Sequence, residues 1–450
     1  MPSPGPRRIL RRALVAVAVL GVALGGTAAF ILLHAPGNVS HPQVEFTTST
    51  ARTGSPGPGS NFVWGRYGYD AARTRYFAGP KTLRPPFRIG WHLQDYADLE
   101  FPPVMAGNRL YDLDDDGSVK AIDKLTGHKL WETKVGRLAA ASPALNIKQG
   151  LLFVPVLSNH GSKPGHGSFV ALRMKTGKIV WKRQLPAGSE SSPIAWGNAV
   201  YFGDQAGHVF DLGARDGHVN WEFSAGGAVK GGPALAGNRL YFGDYGGQAY
   251  ALNASTGHRI WAVNTSGTNF GFGSGNFYTT PALAYGRVYM GNTDGRVYSF
   301  AQRTGQLAWA TSTGAYVYAS AAVANVRGLG PTVYVGSYDG YLYAFNARSG
   351  AIRWKHYSHG RISGSATLVG GVVYYSDLGT KKTTGLDART GKQVFLFKDG
   401  AFNGLIADPH AIYLCGSTTL YELLPVRPSA SRGSAQHPKD TKASAGKRRR

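Results

Sequence analysis

The sequence predicts an all-β propeller, and three observations carry this prediction. One eleven-residue phrase, typified by ALNASTGHRIW at 251–261, occurs seven times at intervals of 40 to 50 residues. Repeats of that length are typical of folds that use one small unit per repeat. The 450 residues include 62 Gly and 24 Tyr, which suits short strands joined by tight turns. The single Cys excludes a disulfide scaffold and a multi-cysteine zinc protein.

Each repeat predicts four strands. Residues 231–252 show the pattern most clearly, with three short strands separated by Gly, Asn and Asp turns. The Gly of each phrase then makes a further turn, and the aromatic residue four positions later begins an outer strand. Four strands in about 40 to 45 residues make one blade, and a closed ring of blades removes exposed sheet edges.

The two ends of the repeat region predict an eighth blade. Residues 402–425 supply three strands without a closing Trp phrase, and residues 86–93 supply a lone strand that contains Trp91. We expect the two pieces to share one sheet. Trp91 brings to seven the tryptophans in this repeated slot, and we expect their indoles to pack between blades rather than to contact a ligand.

Outside the ring, the chain divides into four segments. Residues 1–12 are basic and predicted to be cytoplasmic, and residues 13–33 form a 21-residue uncharged run long enough to cross a bilayer. Residues 34–60 are predicted to be a disordered linker, and residues 426–450 a disordered basic tail, which leaves 61–425 for the propeller. The propeller is expected outside the membrane on a single-pass anchor, or secreted if the apolar run is a cleaved signal peptide.

The basic balance does not predict a nucleic-acid partner. The formal net charge is +24, but the first 12 residues contribute +4 and the last 25 contribute +7. The remainder is too diffuse for a nucleic-acid footprint. The tail is expected either to contact anionic envelope polymer or lipid headgroups, or to act only as a solvated tail.

The repeated phrase, written A-x-D-x-x-T-G-x-x-x-W, resembles the tryptophan-docking motif of the pyrroloquinoline-quinone (PQQ) repeat propellers. That superfamily includes quinoprotein alcohol dehydrogenases and BamB-like envelope proteins. The resemblance covers 61–425, and 64–77 is similar to the segment that precedes the blades in the quinoprotein branch. For the enzymes it implies PQQ over calcium, an Asp base, Glu, Asn or Asp metal ligands, a stacking Trp and an adjacent Cys–Cys disulfide. This chain has only Cys415, which cannot form that disulfide.

A candidate binding site emerges when the blades are aligned on the Pro of SPAL, SPIA, GPAL and TPAL. Three residues earlier lies a column expected at the rim of the ring: Glu100, Ala140, Glu190, Lys230, Tyr278, Tyr318, Ser363 and Ala401. These side chains are expected to line a mouth for a polar ligand or peptide, or else to be solvated loop residues around a water-filled channel. A nearby aromatic loop adds Phe270, Phe272 and Phe277, for sugar or peptide stacking or for plugging the ring.

Sequence patterns that would predict a metal site are weaker than the pattern of the rim column. Asp112, Asp114 and Asp116 match the spacing of a calcium loop, but Lys120 and Asp123 stand where such a loop needs other groups, so an acidic turn is favoured. His160 and His166 lie in a Gly-rich loop without a third ligand. Cys415 is expected to be a buried small apolar residue. No cofactor is predicted.

These patterns favour a monomeric, membrane-anchored extracytoplasmic propeller that binds an envelope protein, peptide or polysaccharide without catalysis. Two alternatives stay open. One is a quinoprotein dehydrogenase that uses PQQ and calcium to oxidise alcohols or sugars, and the other is a carbohydrate or cell-wall sensor that uses the aromatic loop.

Overall fold

A computed structural model describes residues 37–48, 62–158, 166–265, 275–400, 402 and 404–426. These residues form strands, turns and loops and contain no helix. Their sheets form eight blades with a core of four strands each, which confirms the predicted all-β eight-bladed propeller. No helix among the described residues could span a membrane, and the predicted anchor at 13–33 lies outside them.

The first four blades run from the inner to the outer strand in chain order. Blade 1 contains β5 (Val104–Ala106), β6 (Arg109–Leu113), β7 (Ser118–Asp123) and β8 (Lys129–Lys134). Blade 2 contains β9 (Ala144–Asn146), β10 (Leu151–Val156), β11 (Ser168–Arg173) and β12 (Ile179–Gln184). Blade 3 contains β13 (Ile194–Trp196), β14 (Ala199–Gly203), β15 (His208–Gly213) and β16 (Val219–Ser224). Blade 4 contains β17 (Ala234–Ala236), β18 (Arg239–Gly243), β19 (Gln248–Asn253) and β20 (Arg259–Asn264).

The next three blades repeat this order. Blade 5 contains β21 (Ala282–Ala284), β22 (Arg287–Gly291), β23 (Arg296–Ala301) and β24 (Leu307–Ser312). Blade 6 contains β25 (Ala322–Val326), β26 (Gly330–Gly336), β27 (Tyr341–Asn346) and β28 (Ile352–Tyr357). Blade 7 contains β29 (Thr367–Val369), β30 (Val372–Ser376), β31 (Thr383–Asp387) and β32 (Gln393–Phe397).

The eighth blade combines strands from two distant parts of the chain. Its first three strands are β33 (Leu405–Ala407), β34 (Ile412–Cys415) and β35 (Thr419–Pro425), and its outer strand is β4 (Phe87–Gln94), which pairs antiparallel with β35. A buried ion pair between Lys124 Nζ and Asp408 Oδ2, 2.7 Å apart, also joins blade 1 to blade 8. Cys415 lies in β34 and is 1% exposed, as expected.

The seven tryptophans of the repeated slot join neighbouring blades at seven of the eight seams of the ring, and blade 7 has Phe395 in this slot. Each indole Nε1 donates a hydrogen bond to a backbone carbonyl of the following blade, over 2.9 to 3.2 Å. The donor and acceptor pairs are Trp91–Lys124, Trp131–Met174, Trp181–Ala214, Trp221–Ala254, Trp261–Gln302, Trp309–Ala347 and Trp354–Ala388. The indoles therefore have the architectural role that the repeat predicts.

The Gly of the phrase allows this contact. In blade 4, Gly257 has φ +72°, and a Cβ there would lie 2.8 Å from Cδ2 of the Trp221 indole. A side chain would therefore push the ring away from the carbonyl that it binds. Apolar clusters fill the rest of the seam, where Tyr201 and Phe242 pack with Trp221.

Part of the predicted disordered linker is instead docked on blade 5, which corrects that prediction for residues 37–48. We call these residues the strap. Within it, β1 (Val39–Ser40) adds a fifth strand to the outer edge of β24. The buried guanidinium of Arg287 donates to the carbonyl oxygens of Val44 and Glu45, and Arg348 Nε donates to Pro42 O over 2.9 Å.

Two features of blade 5 match this strap. The outer strand β24, LAWATS, contains no charged residue, whereas charges commonly protect a free sheet edge. Tyr285 has φ +56° at a turn position occupied by Gly in other blades, such as Gly237 at φ +57°. This strained backbone costs about 1 kcal/mol. The Tyr285 ring stacks on Phe46 at 5.4 Å, and its carbonyl accepts Thr47 N, so the strap explains the residue.

Residues 62–77, which we call the crossing segment, run along the inner edges of the blades near the ring axis. Its strand β2 (Val63–Trp64) pairs with β5 of blade 1, and β3 (Tyr76–Phe77) pairs in parallel with β29 of blade 7. Between these strands, backbone carbonyls accept hydrogen bonds from inner strands of blades 2, 4, 5, 6 and 7. The crossing segment therefore fills the middle of the ring.

Substituting Gly257 tests the indole contact. We expect Gly257→Ala to lower the free energy of unfolding by about 2–3 kcal/mol, because it adds a clash with Trp221 to the cost of Ala at positive φ. Gly237→Ala in the same blade is the matched control, since its φ is also positive but no atom lies within 4 Å of the added Cβ. The control should lose only about 1 kcal/mol in denaturant unfolding. Equal losses would contradict the contact.

An engineered disulfide tests the strap. Val39 faces Ala310 in the β1–β24 register, so oxidation of Val39→Cys/Ala310→Cys should form an intramolecular disulfide, detected by peptide mass spectrometry. Val39→Cys/Ala262→Cys is the control. Ala262 follows Trp261 in blade 4 and therefore occupies the same position of the repeat as Ala310, which follows Trp309 in blade 5. The buried Cys415 should not compete. Equal yields from both pairs would show that the strap is not held on blade 5.

Candidate functional site

The column of rim residues converges on one small cavity at the mouth of the ring. Six of its members line the cavity: Glu100, Glu190, Lys230, Tyr278, Tyr318 and Ser363. All six are half-buried. Ala140 is also half-buried but is not among the lining residues, and Ala401 lies outside the described residues. Alignment of the blades therefore located six side chains that the fold brings together from six different parts of the chain.

Glu190 is the centre of the polar contacts in the mouth. Its Oε1 lies 2.9 Å from Lys230 Nζ and accepts a hydrogen bond of 2.9 Å from Gln205 Nε2. Its Oε2 accepts the Tyr278 hydroxyl over 3.1 Å. Burial, together with Glu190 and Glu100, raises the pKa of Tyr278 well above its usual value. These residues therefore form a linked acid, base and phenol group at the rim.

Glu100 occupies a different electrostatic environment. Burial raises the pKa of Glu100 to about 7, and the nearby charges of Glu190 and Asp98 act in the same direction. Asp115 is similar, because burial, Glu100 and Asp98 raise its pKa to about 7. One side of the mouth therefore changes charge near neutral pH.

Tyrosine rings form a continuous belt around the other side of the mouth. Neighbouring centroids are separated by 6.2 Å for Tyr245–Tyr278, 5.6 Å for Tyr278–Tyr318, 6.1 Å for Tyr316–Tyr318 and 4.8 Å for Tyr318–Tyr338. We call these five residues the tyrosine belt. Basic groups lie over two of the rings, with Lys230 Nζ 4.9 Å from the Tyr245 centroid and Arg361 Cζ 5.9 Å from that of Tyr338. Only Tyr278 and Tyr318 were in the predicted column, because the other three lie at different positions of the repeat.

The crossing segment contributes the wall that the sequence did not predict. Tyr67 lines the cavity, and its hydroxyl donates to Ser365 Oγ over 3.0 Å. Arg73 is 0% exposed and donates to Pro233 O, Ser192 O and Pro193 O over 2.9 to 3.0 Å. The motif at 64–77 was visible in the sequence, but its path through the ring depends on contacts with six blades.

The aromatic loop differs from its prediction. Phe277 does not lie at the mouth, because it is 0% exposed and packs in the seam between blades 4 and 5 with Tyr298 and Phe300. A Cβ at Gly243 would lie 2.5 Å from Phe277 Cβ, so the ring occupies space left by a glycine. Phe270 and Phe272 lie outside the described residues.

Asp112 lies in β6, and Asp114 and Asp116 lie in the hairpin turn that joins β6 to β7. Asp114 accepts hydrogen bonds from Ser118 N over 2.8 Å and Lys120 Nζ over 2.6 Å. Asp116 is exposed, whereas Asp112 is buried, which raises its pKa to about 7. The three carboxylates do not converge, and no group of three or more His, Cys, Asp and Glu among the described residues could hold a metal ion.

The two histidines of the Gly-rich insertion are only partly covered by the structure. His166 is exposed, and His160 lies outside the described residues. The part of the chain that the structure describes adds no third ligand to this insertion.

The mouth does not fit PQQ held over calcium. Its cavity is about 40 Å³, whereas pockets for cofactor-sized ligands are about 300–1,000 Å³. Glu190, the carboxylate nearest the centre of the polar contacts, is already paired with Lys230. The buried Cys415 has no second cysteine in this chain. We therefore derive no chemistry through that cofactor.

The stability of the protein should depend on the protonation of Glu100. The folded protein keeps the Glu100 carboxyl protonated up to about pH 7, whereas the unfolded chain loses this proton above about pH 4.5. The free energy of unfolding therefore falls as the pH rises between these two values. We expect Glu100→Gln to gain about 2 kcal/mol relative to wild type between pH 5 and pH 8, measured by denaturant titration. Glu132→Gln on the exposed outer strand β8 is the control and should track wild type. Parallel curves for all three proteins would contradict the assignment.

Two proteins of known structure share the fold of this chain. BamB from Moraxella catarrhalis superposes with a TM-score of 0.61 at 16% identity, covering 76% of this chain and 98% of that one. The quinohemoprotein alcohol dehydrogenase ADHIIG from Pseudomonas putida HK5 superposes with a TM-score of 0.67 at 12% identity, covering 81% and 80%. These likenesses show the fold alone.

A curated relative matches a shorter stretch. The quinoprotein alcohol dehydrogenase PedE of Pseudomonas putida KT2440 is 38% identical over 88 residues, which is 20% of this chain and 12% of that protein. The chain therefore matches only a small part of the length of this relative.

Family membership rests on a broader match. The family described as outer membrane protein assembly factor BamB matches overlapping stretches at residues 91–209, 115–261, 205–328 and 320–409, which together span most of the ring. The matched stretches contain all seven tryptophans that dock between blades, and the match begins at Trp91. The chain belongs to the PQQ-repeat family of BamB-type propellers.

Proposed function

We propose that this protein is a non-catalytic binding propeller that holds a protein partner of the cell envelope on its mouth face. The observation that carries the proposal is the tyrosine belt beside the Glu190–Lys230 pair. Tyrosines supply large, rigid contact area together with a hydroxyl, and they are enriched at protein interfaces. Tyr316 is 55% exposed, so the belt reaches solvent.

The shape of the mouth favours a partner that covers it over a small molecule that enters it. The cavity is about 40 Å³, and Tyr67 of the crossing segment forms part of its wall. The polar groups of Glu190, Lys230 and Tyr278 already contact one another. A protein surface could contact the belt without displacing these groups, whereas a buried substrate would have to displace them.

The proposed setting is the outer side of a membrane. Residues 13–33 would anchor the chain, and the strap would then hold blade 5 close to that anchor. Only residues 34–36 separate the predicted anchor from the strap, and three extended residues span about 10 Å. The name BamB given to the family supports an envelope role for this chain.

Site-specific photo-crosslinking tests the proposal. The full chain would carry a photoreactive phenylalanine at Tyr316, or at Tyr357 on the outer strand β28 as the control, because Tyr357 is also exposed at 47%. We expect one envelope protein to be crosslinked from Tyr316 and not from Tyr357. In chains that also carry Tyr245→Ala and Tyr338→Ala, recovery should fall about tenfold, since interface tyrosines are frequent hot spots.

Three results would contradict the proposal that the mouth binds an envelope protein. Equal crosslinking from both positions would place the binding surface outside the mouth. Capture by insoluble cell-wall polymer, without a protein adduct, would favour the carbohydrate sensor. Quinone absorbance that survives desalting after addition of PQQ and calcium, with dye-linked alcohol oxidation, would establish the dehydrogenase.

A further inference from the structure

The crossing segment buries an arginine whose donors are not all used. Arg75 is 3% exposed, and its Nε and Nη2 are buried without a hydrogen-bond partner among the described residues. Its Cζ lies 3.8 Å from the centroid of the Tyr67 ring. Cation–π stacking compensates part of the positive charge, but it leaves the in-plane N–H donors unsatisfied.

Arg73, two residues earlier, shows how such a group is satisfied elsewhere in the same segment. Its Nε, Nη1 and Nη2 donate to the backbone carbonyls of Pro233, Tyr67, Ser192 and Pro193. Arg73 therefore pins the crossing segment to the blades. Arg75 has the same burial without this set of acceptors.

Neither guanidinium lies within ion-pair distance of a carboxylate among the described residues, and the nearby Asp70 offsets only part of the lowering of their pKa values by burial. None of the ion pairs among the described residues includes Arg73 or Arg75. The carboxylate of the segment, Asp70, instead accepts Thr74 N over 2.9 Å and Thr74 Oγ1 over 2.6 Å. A buried charge without a partner is strongly destabilising, so the site favours an anion.

The backbone of the crossing segment around Arg75 has three non-glycine residues at positive φ. Tyr69, Arg73 and Arg75 have φ values of +76°, +58° and +52°. Non-glycine residues in this region cost about 1 kcal/mol or more each and persist where the surroundings hold them. Three such residues within seven positions indicate that the packing of this segment is closely determined.

We propose that Arg75 binds a small monovalent anion on its Nε–Nη2 edge, next to Tyr67. These two donors lie on one side of the planar guanidinium and point in the same direction, which is the edge that carboxylates and similar anions bind. Both nitrogens are buried, which excludes a bulky ligand. The site therefore takes a halide or a formate-sized carboxylate, and this anion neutralises the middle of the ring.

Anion-dependent unfolding of the full chain is the primary test. Sodium gluconate would be replaced stepwise by sodium chloride or by sodium formate at constant ionic strength. We expect the unfolding midpoint to rise saturably, by about 3 °C at a hundredfold excess over Kd. A rise with chloride identifies a halide site, and a rise with formate alone identifies a carboxylate site. No rise with either salt would overturn the proposal.

Two matched variants separate anion binding from packing. Arg75→Met should abolish the salt-dependent rise, and its midpoint in gluconate should equal or exceed that of wild type because the unpaired charge is gone. Arg73→Met should lower the midpoint in every salt but keep the rise, since it leaves carbonyls without donors. If Arg75→Met keeps the rise, the anion binds elsewhere.

Anomalous diffraction gives an independent readout on wild-type protein. Crystals grown in bromide should show a peak within hydrogen-bond distance of Arg75 Nε and Nη2. An occupied bromide at that edge supports the site even if the Arg75 variant fails to fold. Absence of the peak together with a flat salt titration would rule it out.

Discussion

The contact between an indole and a glycine turn is the interaction on which the rest of the structure depends. Each docking Trp donates to a carbonyl of the next blade and lies over a Gly that leaves room for the ring, as in the pair Trp221 and Gly257. A hydrogen bond fixes the direction of the indole, and the missing Cβ fixes its depth. Repetition of this contact sets the angle between blades, and therefore allows a ring to close.

A ring built in this way has two exposed weaknesses, and segments before the blades cover both. The inner strands leave unpaired backbone groups near the axis, which the crossing segment satisfies in six blades. The uncharged outer edge of blade 5 would be open to pairing with other chains, and the strap occupies it. The N-terminal part of the chain is thus a structural component of the propeller, not only a tether.

The crossing segment also decides what the mouth can do. Because Tyr67 and the buried Arg73 close the ring behind the rim, the polar column surrounds a shallow site and not a deep chamber. One relative with an enzymatic name shares the fold at 12% identity, and another matches this chain along only 12% of its own length, so these likenesses do not assign a chemistry to this chain. The tyrosine belt, which reaches solvent at Tyr316, is the part of the mouth best suited to a partner.

The sequence by itself determined the fold class, the blade boundaries and the column of Glu100, Glu190, Lys230, Tyr278 and Tyr318. All of these follow from a short repeat whose glycines and aromatics perform the same local task in every blade. It could not determine the burial of Phe277, the docking of the strap or the spare donors of Arg75. Those depend on which non-repeated segments meet in space, and only the tertiary contacts decide that, because such segments have no periodicity from which their neighbours could be inferred.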